Sequence, residues 1–426
     1  MRQSDPGGPA APPSGGARVL PDAADREAGR APLALMLALA LMTSMVALTI
    51  DAVLPALDAI DRDLGFADPN DRHLVVMVVF AGLAAAQLVV GPLADALGRL
   101  PVAMGGYAVF LVGTALAGLA ESEGALLAGR FLQGLGAAGP RVIGVTVVRD
   151  LYQGTAMARV SSLVNTIFIA VPMLAPLMGQ GIEALGGWRA IFLAYAVIAV
   201  ASLVVYWAVV GETLPAARRR PLSPGAVWRG YLTVLTNRRA MTCTAITACV
   251  FGGFTAYLAT AQQVFEELYG LGHRFPLVFA LMAGFFAAAS FANGRLVMRF
   301  GMRRLATVAM ALMTGAGALG AVVAAGTGGV PPLWAFVLLL APLLMAVAVL
   351  FANVIALAVE PLGHVAGTAT SVVLATATLV AAALGSVIAS FHDATVLPLF
   401  AGFAGLGLVA CLLFAWLGRV EARGGS

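Results

Sequence analysis

The chain has 426 residues, of which 61% are hydrophobic and 11% are charged. Soluble domains carry about 25% charged residues, so this composition excludes a soluble protein and indicates a polytopic membrane protein. The formal net charge is +4 and all basic residues are arginine, but no basic cluster with interleaved aromatic residues, typical of nucleic-acid binding, is present.

The chain divides into a polar tail and two groups of apolar segments. Residues 1–30 are rich in proline, glycine, alanine and charge, which predicts a disordered cytoplasmic tail. Twelve stretches long enough to cross a bilayer follow, at about 33–55, 73–94, 101–120, 124–148, 159–181, 189–210, 240–264, 275–298, 304–325, 332–358, 365–390 and 394–418. We therefore predict an N-terminal six-helix bundle over 31–210, a basic cytoplasmic linker over 211–239, a C-terminal six-helix bundle over 240–419 and a cytoplasmic tail over 420–426.

The distribution of arginine between the predicted loops indicates the orientation. With the amino terminus inside, 19 arginines fall in the tail, the linker and the other inside segments, and four fall outside. Loops rich in Lys and Arg stay on the cytoplasmic side. Both termini are therefore predicted to be cytoplasmic, in a multi-pass protein of the bacterial inner membrane.

The first span, Leu33–Pro55, carries a carboxylate near its far end. Asp51 is the only acidic side chain that this segmentation places inside a span, and an intramembrane carboxylate is expensive and therefore a functional candidate. Pro55 cannot donate the helical hydrogen bond to the Asp51 carbonyl, so we expect the backbone to loosen there. We interpret Asp51 as the proton site of a transporter; the alternatives are a structural ion pair and an acid at a loop end.

Two loops at matching positions of the two groups indicate an internal repeat. The loop after the second span reads GPLADALGRLP (Gly91–Pro101), and the loop after the eighth reads NGRLVMRFGMRRL (Asn293–Leu305). Each places a Gly-Arg or Gly-x-Arg element between two spans. A duplicated six-span unit joined by a basic linker is typical of transporters.

The fourth span contains two arginines in RFLQGLGAAGPR (Arg130–Arg141). Their spacing of eleven residues places both on one helix face, roughly 16 Å apart. We expect that face to line a water-filled cavity, because a bilayer rejects arginine. Arg130 and Asp51 lie at similar depth and are predicted to meet, directly or through water, so that the proton affinity of the carboxylate depends on how closely the cation approaches. For Arg141, the alternative is a clamp on backbone carbonyls beside the Pro140 kink.

The fifth and seventh spans carry a candidate bend and a candidate pocket. In the fifth, two prolines bend the helix, and small residues allow close packing that would seal the cytoplasmic leak path; these residues are Pro172, Pro176 and Gly179. In the seventh, three rings spaced i, i+3 and i+6 either line a hydrophobic pocket or pack against other helices; they are Phe251, Phe254 and Tyr257.

Together these motifs resemble the major facilitator superfamily, and within it the Bcr/CflA (bicyclomycin/chloramphenicol resistance) branch of twelve-span drug:proton antiporters. The fourth span matches R-x-x-Q-G-x-G-A-A, and Glu360–Val372 resembles the same branch. The fifth span is similar to the antiporter signature G-P-x-x-G-G, with Ala175 and Gln180 replacing two glycines. The loop signature G-x-L-x-D-R-x-G-R-R lacks two basic residues, at Ala96 and Leu100, and is otherwise matched by Gly91, Leu93, Asp95, Gly98 and Arg99.

The resemblance implies a conformational latch and a substrate cavity. Asp95 is expected to face the amino-terminal end of a helix in the other half, whose dipole favours a negative charge, and Asp150 is expected to join Arg99 in a cytoplasmic charge network. The predicted latch residues are Gly91, Asp95, Gly98, Arg99 and Asp150. The cavity is expected near the bilayer midplane, lined by Thr43, Gln133, Arg141, Phe251, Phe254 and Tyr257.

The predicted fold is all-α, with twelve transmembrane helices in two pseudo-symmetric six-helix bundles. The predicted function is proton-coupled efflux of small drug-like or metabolite molecules by alternating access, driven by the proton gradient without a cofactor. The sequence contains no G-x-x-x-x-G-K-[ST] loop and no catalytic constellation, so neither ATP-driven transport nor enzyme activity is expected. The alternatives are a proton-coupled importer or facilitator of a small nutrient and, in another class, a membrane receptor or scaffold without flux.

The predicted cavity holds two arginines and one carboxylate. Its net charge is then about +1 with Asp51 ionised and about +2 with Asp51 protonated, and such a charge acts strongly at low dielectric. Thr43, where some drug:proton antiporters carry an acid, is neutral here. We therefore expect a neutral, zwitterionic or anionic substrate, held partly by Arg141, and a monomeric transporter.

Overall fold

In the computed structural model, which describes residues 32–219 and 221–424, all regular elements of the described chain are helices. The α-helices are α1 (Leu33–Asp51), α2 (Leu57–Leu64), α3 (Leu74–Leu97), α4 (Arg99–Gly118), α5 (Glu123–Leu151), α6 (Gly154–Val209), α7 (Pro224–Thr236), α8 (Arg238–Gln262), α9 (Phe275–Phe300), α10 (Met302–Gly326), α11 (Leu333–Val359), α12 (Ala366–Ser390) and α13 (Leu397–Gly424). A π-helical turn, Gln263–Leu268, extends α8. The predicted tail over residues 1–30 lies outside the described residues.

Eleven helical stretches in the described part of the chain are long and apolar enough to cross a membrane. One of them, Ala170–Val209, belongs to α6, whose 56 residues are broken at Gly187, where φ is 72°. The two arms of α6 supply the predicted fifth and sixth spans, which a glycine break separates instead of a loop. The predicted all-α fold with twelve crossings is confirmed.

The first helix ends at the candidate proton site. α1 stops at Asp51, and the next regular turn is a 3₁₀ turn over Leu54–Ala56, in which Pro55 sits near the start. Because proline lacks an N–H, the Asp51 carbonyl has no helical partner four residues ahead. The predicted loosening of the backbone at Asp51 therefore occurs, and the helix is four residues shorter than the predicted span.

The two repeat loops adopt related turns. Gly98 separates α3 from α4 with φ 108°, and Gly301 separates α9 from α10 with φ 76°. Residues other than glycine rarely adopt such positive φ angles. Each glycine is followed within two residues by an arginine, Arg99 or Arg303, so the matching sequence elements form matching corners in the two halves.

The helices form two bundles that meet along two seams. In the first bundle, α3 and α4 pack against α5, and α1 packs against α6. In the second, α12 and α13 pack against α8, and α10 packs against α11 and α13. The contacts of α3 with α12 and of α6 with α9 join the bundles. We call the face on which α1 begins and α13 ends the terminal face.

The linker between the bundles contains a helix that the sequence analysis did not predict. α7 begins at Pro224, a residue type that suits the first turn of a helix because its missing N–H has no helical partner there. α7 packs against α12. Tyr231 of α7 also donates a hydrogen bond to the Leu88 carbonyl of α3, so the linker helix contacts both bundles at the terminal face.

Candidate functional site

A cavity of about 180 Å³ lies between the two bundles. Residues of α1, α3, α5 and α6 line it from the first bundle, and residues of α8, α9 and α11 line it from the second. Its ionisable side chains are Asp51, Arg141 and Tyr257. The remaining lining is apolar and includes the rings of Phe80, Phe251, Phe254, Phe279, Phe286 and Phe351.

Asp51 reaches this cavity from the end of α1 and is 4% exposed. None of the described residues forms a hydrogen bond or an ion pair with its carboxylate. An ionised carboxylate without a cationic partner is costly in an apolar cavity. Asp51 is therefore a group whose charge depends on what else occupies the cavity.

The predicted direct contact between Arg130 and Asp51 is absent from this conformation. Arg130 is fully buried, and its Nε and Nη2 donate to the carbonyls of Val75 and Thr49, both at 2.9 Å. Its Nη1 donates to Gln133 Oε1, also at 2.9 Å. Carbonyls near a helix end lack intrahelical partners, and the Thr49 carbonyl lies two residues before Asp51. The guanidinium is therefore occupied by backbone oxygens and holds the end of α1 instead of the carboxylate.

Two residues predicted for the cavity pack between helices instead. Gln133 accepts from Arg130 and donates to Thr114 Oγ1 of α4 at 2.9 Å. Thr43 donates to the Leu39 carbonyl of its own helix and packs against Gly144 of α5. The prediction that Thr43 and Gln133 line the cavity is wrong in this conformation, because backbone and neighbouring side-chain groups satisfy both of them inside the first bundle.

Arg141 does line the cavity. Its guanidinium has no hydrogen-bond or ion-pair partner among the described residues, so the alternative of a clamp on backbone carbonyls finds no support there. The neighbouring Pro140 instead packs near Gly106 of α4. The two arginines of the fourth span therefore have different environments, and only one of them faces the space between the bundles.

The aromatic triplet of α8 both lines the cavity and packs within a larger ring cluster. Phe251 lies 5.6 Å from Phe80, 5.7 Å from Phe254 and 5.4 Å from Phe351 between ring centroids. Tyr257 stacks on Phe279 at 5.8 Å, and its buried hydroxyl has no hydrogen-bond partner among the described residues. The sequence analysis missed the rings on α3, α9 and α11, because these spans are apolar on all sides and no periodicity marks the face that meets the cavity.

The fifth-span motif brings α6 against α1 beside Asp51. Pro172 lines the cavity. A Cβ placed on Gly179 would lie 1.8 Å from the carbonyl oxygen of Ala52, the residue that follows Asp51. Only glycine permits that approach of the two backbones. Close packing at Gly179 is therefore observed against the helix that carries the candidate proton site, whereas the expected seal of the cytoplasmic leak path stays a prediction.

A charge network occupies the terminal-face corner between α3 and α4. Arg99 Nε donates to Asp150 Oδ2 at 2.9 Å, and Arg99 Nη1 donates to Asp95 Oδ1 at 2.6 Å. Glu212, which the sequence analysis did not select, accepts from the backbone N–H of Arg99 at 2.9 Å. The structure thus brings Arg99, Asp95 and Asp150 together within the first bundle.

Gly91, near this corner, lies close to the second bundle. A Cβ on Gly91 would lie 3.8 Å from Ser371 Oγ of α12. Asp95 forms an ion pair with Arg99, one turn ahead in the same bundle. The structure does not describe the side chains of residues 363–366, which precede and begin α12. The expected contact of Asp95 with that helix end therefore stays a prediction.

The face opposite to the terminal face holds an ion-pair cluster that sequence reasoning missed. Arg72 Nε lies 3.1 Å from Asp61 Oδ2, and Arg72 Nη1 lies 2.5 Å from Glu267 Oε1 of the second bundle. His73 Nε2 is 2.6 Å from Ser386 Oγ of α12. These contacts join the bundles across this face. The only sequence signal for them is charge in short loops, which does not identify partners.

Comparisons with known proteins agree with this architecture. The family model described as Major Facilitator Superfamily matches residues 39–386. The chain is 33% identical over 269 residues, 63% of this chain and 68% of the relative, to "Multidrug resistance protein MdtL" of Escherichia coli (strain K12).

Solved structures are also similar. They include the human organic anion transporter MFSD10 (TETRAN), 18% identical with a TM-score of 0.63 over 90% of this chain and 100% of that one. They also include the peptide transporter POT in complex with sulfate, 16% identical with a TM-score of 0.70 over 91% of this chain and 94% of that one. The xylose transporter XylE from E. coli, in a partially occluded inward open conformation, is 12% identical with a TM-score of 0.68 over 91% of this chain and 98% of that one. At these identities the likeness concerns the fold.

Proposed function

The chain belongs to the major facilitator superfamily and is a multi-pass membrane transporter rather than an enzyme, and from this premise we propose that it exports small drug-like or metabolite molecules in exchange for protons. The similarity to MdtL, a multidrug resistance protein, supports the class of substrate. The resemblance of the fifth span to the antiporter signature supports exchange rather than uptake. We retain the Bcr/CflA branch as part of this proposal.

The observation that carries the proposal is that no described residue pairs with Asp51, which lies in a cavity shared by both bundles. An ionised carboxylate is unfavourable there unless a cationic group or water solvates it, so a closed, empty cavity favours the protonated form. Opening the cavity to water or admitting a cationic ligand group favours the charged form. The proton affinity of Asp51 then differs between transport states, which is the requirement for coupling.

The bundle-to-bundle contacts support an alternating-access cycle. On the face opposite to the terminal face, the bundles are joined by Arg72 with Glu267 and by His73 with Ser386. On the terminal face, α7 bridges them through Tyr231 and Leu88. One set of contacts has to break for the cavity to open on that side. In our proposal Asp51 takes up a proton while the cavity opens outward, and it releases the proton inward when the substrate binds.

The arginine distribution supports the orientation of the cycle. We propose that the terminal face is cytoplasmic, that the protein resides in the bacterial inner membrane and that the latch residues Gly91, Asp95, Gly98, Arg99 and Asp150 hold the cytoplasmic corner of the first bundle. Because the two bundles of one chain, over 31–210 and 240–419, enclose the cavity, a monomer suffices for transport.

The test is transport by the purified protein in proteoliposomes with an imposed pH gradient. The panel includes chloramphenicol, the dipeptide phenylalanyl-glycine and a quaternary ammonium dye. We expect at least one compound to move against its own concentration gradient, in the direction opposite to proton flow. This movement should stop when the pH gradient is dissipated. Movement of the compound in the same direction as protons would identify an importer instead. Transport that is independent of the pH gradient would contradict proton coupling.

A further inference from the structure

The cavity presents two opposite charges that do not neutralise each other. Asp51 and Arg141 both line it, yet no ion pair within 4.0 Å joins them, and neither has a charged partner among the described residues. Burying a charge without a partner is costly. Protonation of Asp51 removes the free-energy cost of burying its charge, but Arg141 keeps its charge and the cost of burying it. A ligand that supplies both counter-charges would remove both.

The helix positions of Asp51 and Arg141 give the axial offset between the points where the two side chains are attached. Gly144 of α5 lies opposite Thr43 of α1, since a Cβ on Gly144 would be 2.9 Å from Thr43 Cγ2. Asp51 is eight residues beyond Thr43, and Arg141 is three residues from Gly144 towards the same end, because α1 and α5 run in opposite directions. At 1.5 Å per residue, the two side chains are attached about 7.5 Å apart along the helix axes.

The two bundles contribute different chemistry to the cavity. Both charged groups belong to the first bundle, which also supplies the ring of Phe80, whereas the other cavity rings, such as Phe251 and Phe279, belong to the second. The Tyr257 hydroxyl, which is buried and has no hydrogen-bond partner in the described part of the chain, lies on the same side as these second-bundle rings. A ligand between the bundles therefore meets charges on one side and aromatic faces on the other.

From this arrangement we infer that the substrate is a small zwitterion with an aromatic or apolar body, its carboxylate bound by Arg141 and its cationic nitrogen by Asp51. The inference rests on the proposed antiport and specifies its substrate. It replaces the expectation of a cavity with two arginines, because Arg130 is bound to backbone carbonyls and does not line the cavity. With Asp51 ionised, the cavity is electrically neutral and matches a neutral molecule that carries both charges.

The inference also supplies the exchange mechanism. A proton and the ligand's cationic nitrogen compete for the same carboxylate. When Asp51 is protonated, the nitrogen loses its partner and the ligand is released; when the ligand binds, the proton leaves. The cavity volume of about 180 Å³ is below the range of about 300–1,000 Å³ found for drug-sized ligands. In the described conformation the cavity suits a ligand about as large as a dipeptide or an aromatic amino acid.

The experiment compares four probes that share the phenylalanyl-glycine core and differ in charge. They are phenylalanyl-glycine, its methyl ester, its N-acetyl form and the form with both caps, which are zwitterionic, cationic, anionic and neutral. The charges of the dipeptide are separated by at most about 7 Å in an extended chain. Binding to the purified full-length protein is measured by calorimetry at two pH values.

We expect the zwitterion to bind at least about tenfold more tightly than each capped form, because each charge-assisted hydrogen bond contributes this much or more. Acidification should weaken zwitterion binding to the wild type. Arg141→Gln should remove the difference between the free and esterified carboxylate, and Asp51→Asn should remove both the preference for the free amine and the pH dependence. Arg295→Gln, at an exposed arginine of α9, is the control that should change neither preference.

Equal or tighter binding of the doubly capped probe to the wild type would overturn the inference, and this comparison needs no variant. The outcome is separable from that of the proposed function. If neutral or cationic compounds bind best and still exchange for protons in proteoliposomes, antiport stands and the zwitterion inference fails. If the zwitterion binds with the stated charge dependence but moves independently of the pH gradient, the binding inference stands and the antiport proposal fails.

Discussion

The Arg130 guanidinium is the polar centre of the first bundle. It connects carbonyls of α1 and α3 and, through Gln133, the Thr114 hydroxyl of α4. Tyr195 of α6 donates to the same Thr49 carbonyl at 3.3 Å. Four helices thus meet around one fully buried cation at the level of the helix end that carries Asp51. This arrangement assigns Arg130 a positioning role, in which it fixes the backbone beside the carboxylate without touching it.

Arg130→Gln should therefore reduce stability as well as transport. The variant loses hydrogen bonds to two buried carbonyls. At about 1.5–3 kcal/mol for each bond to a charged group, we expect the free energy of unfolding to fall by about 3–6 kcal/mol. Denaturation of the purified protein in detergent measures the loss. The control is Arg149→Gln, at an exposed arginine at the end of the same helix. Equal stability of the two variants would contradict the role of Arg130 as the polar centre of the first bundle.

The sequence could predict that Arg130 is hidden from lipid but not which groups bind it. Hydropathy places two arginines in one span, and their spacing places them on one face. The choice between a carboxylate and a backbone carbonyl depends on which helix end loses its intrahelical hydrogen bonds, and that depends on the tertiary arrangement of α1 and α3. Asp51, Arg141 and the α8 rings could be selected from sequence because charge and aromatic residues are rare in these spans.

At the scale of elements, the contact of α6 with α1 supports the site most closely. Gly179 allows the backbone of α6 to lie against the Ala52 carbonyl. On the same helix, Pro172 lines the cavity, so a shift of α6 changes both the cavity wall and the neighbourhood of Asp51. The antiporter-like motif therefore acts here through packing between two helices.

Gly179→Ala should force these helices apart. A Cβ at 1.8 Å from a carbonyl oxygen cannot be accommodated without a backbone shift, and overpacking of this kind costs about 1–3 kcal/mol. We expect lower thermal stability together with weaker transport. Gly181→Ala provides the matched control, because a Cβ there meets nothing within 4 Å and alanine favours the helix. Equal stability and transport of the two alanine variants would contradict a role for the close contact between α6 and α1.

The linker helix α7 is the second element with a specific role. Burial raises the pKa of the Tyr231 hydroxyl, so this group stays protonated at neutral pH and donates to the Leu88 carbonyl. The sequence indicated only a basic connector with several prolines. α7 was harder to predict than the membrane spans, because its thirteen residues contain no long apolar run. Its packing partners also lie in two other helices, which the local sequence does not identify.

Tyr231→Phe should favour opening at the terminal face. Loss of one hydrogen bond of about 1 kcal/mol corresponds to roughly a fivefold shift in the ratio of the two states. Distances between spin labels placed on the terminal-face ends of the two bundles report this ratio. Tyr269→Phe is the matched control, since its hydroxyl donates to the Pro331 carbonyl at 2.8 Å within the second bundle. A Tyr231→Phe distribution identical to that of the wild type would exclude a role for this bond in closure.

At the scale of the whole molecule, the two bundles are joined on both faces and separated by the cavity. Composition and span count were sufficient to predict the twelve-crossing fold, and the repeated Gly-Arg corners were sufficient to predict its internal symmetry. The contacts between bundles were not predictable, because they join residues nearly two hundred or more positions apart, such as Arg72 with Glu267 and His73 with Ser386. These contacts determine which side of the cavity is closed.

The Arg72–Glu267 pair should stabilise closure of the face opposite to the terminal face. Glu267 is partly exposed, so screening limits the pair to about 1 kcal/mol, or a roughly fivefold change in population. Arg72→Gln and Glu267→Gln should each increase opening on that face, and the double variant should add little to either. Arg62→Gln, which removes an exposed pair with Asp58 inside the first bundle, should have no effect. Fully additive effects of the two substitutions would argue against direct coupling.

The central claim is that a proton and the substrate exclude each other at Asp51, and proton release on binding tests it most directly. A transported compound from the proteoliposome panel is added to purified protein in weakly buffered detergent solution while the pH is recorded. The account predicts that the wild type and Glu121→Gln, which alters an exposed loop acid, release protons on binding, and that Asp51→Asn binds the compound without releasing any. Undiminished proton release from Asp51→Asn would contradict the account.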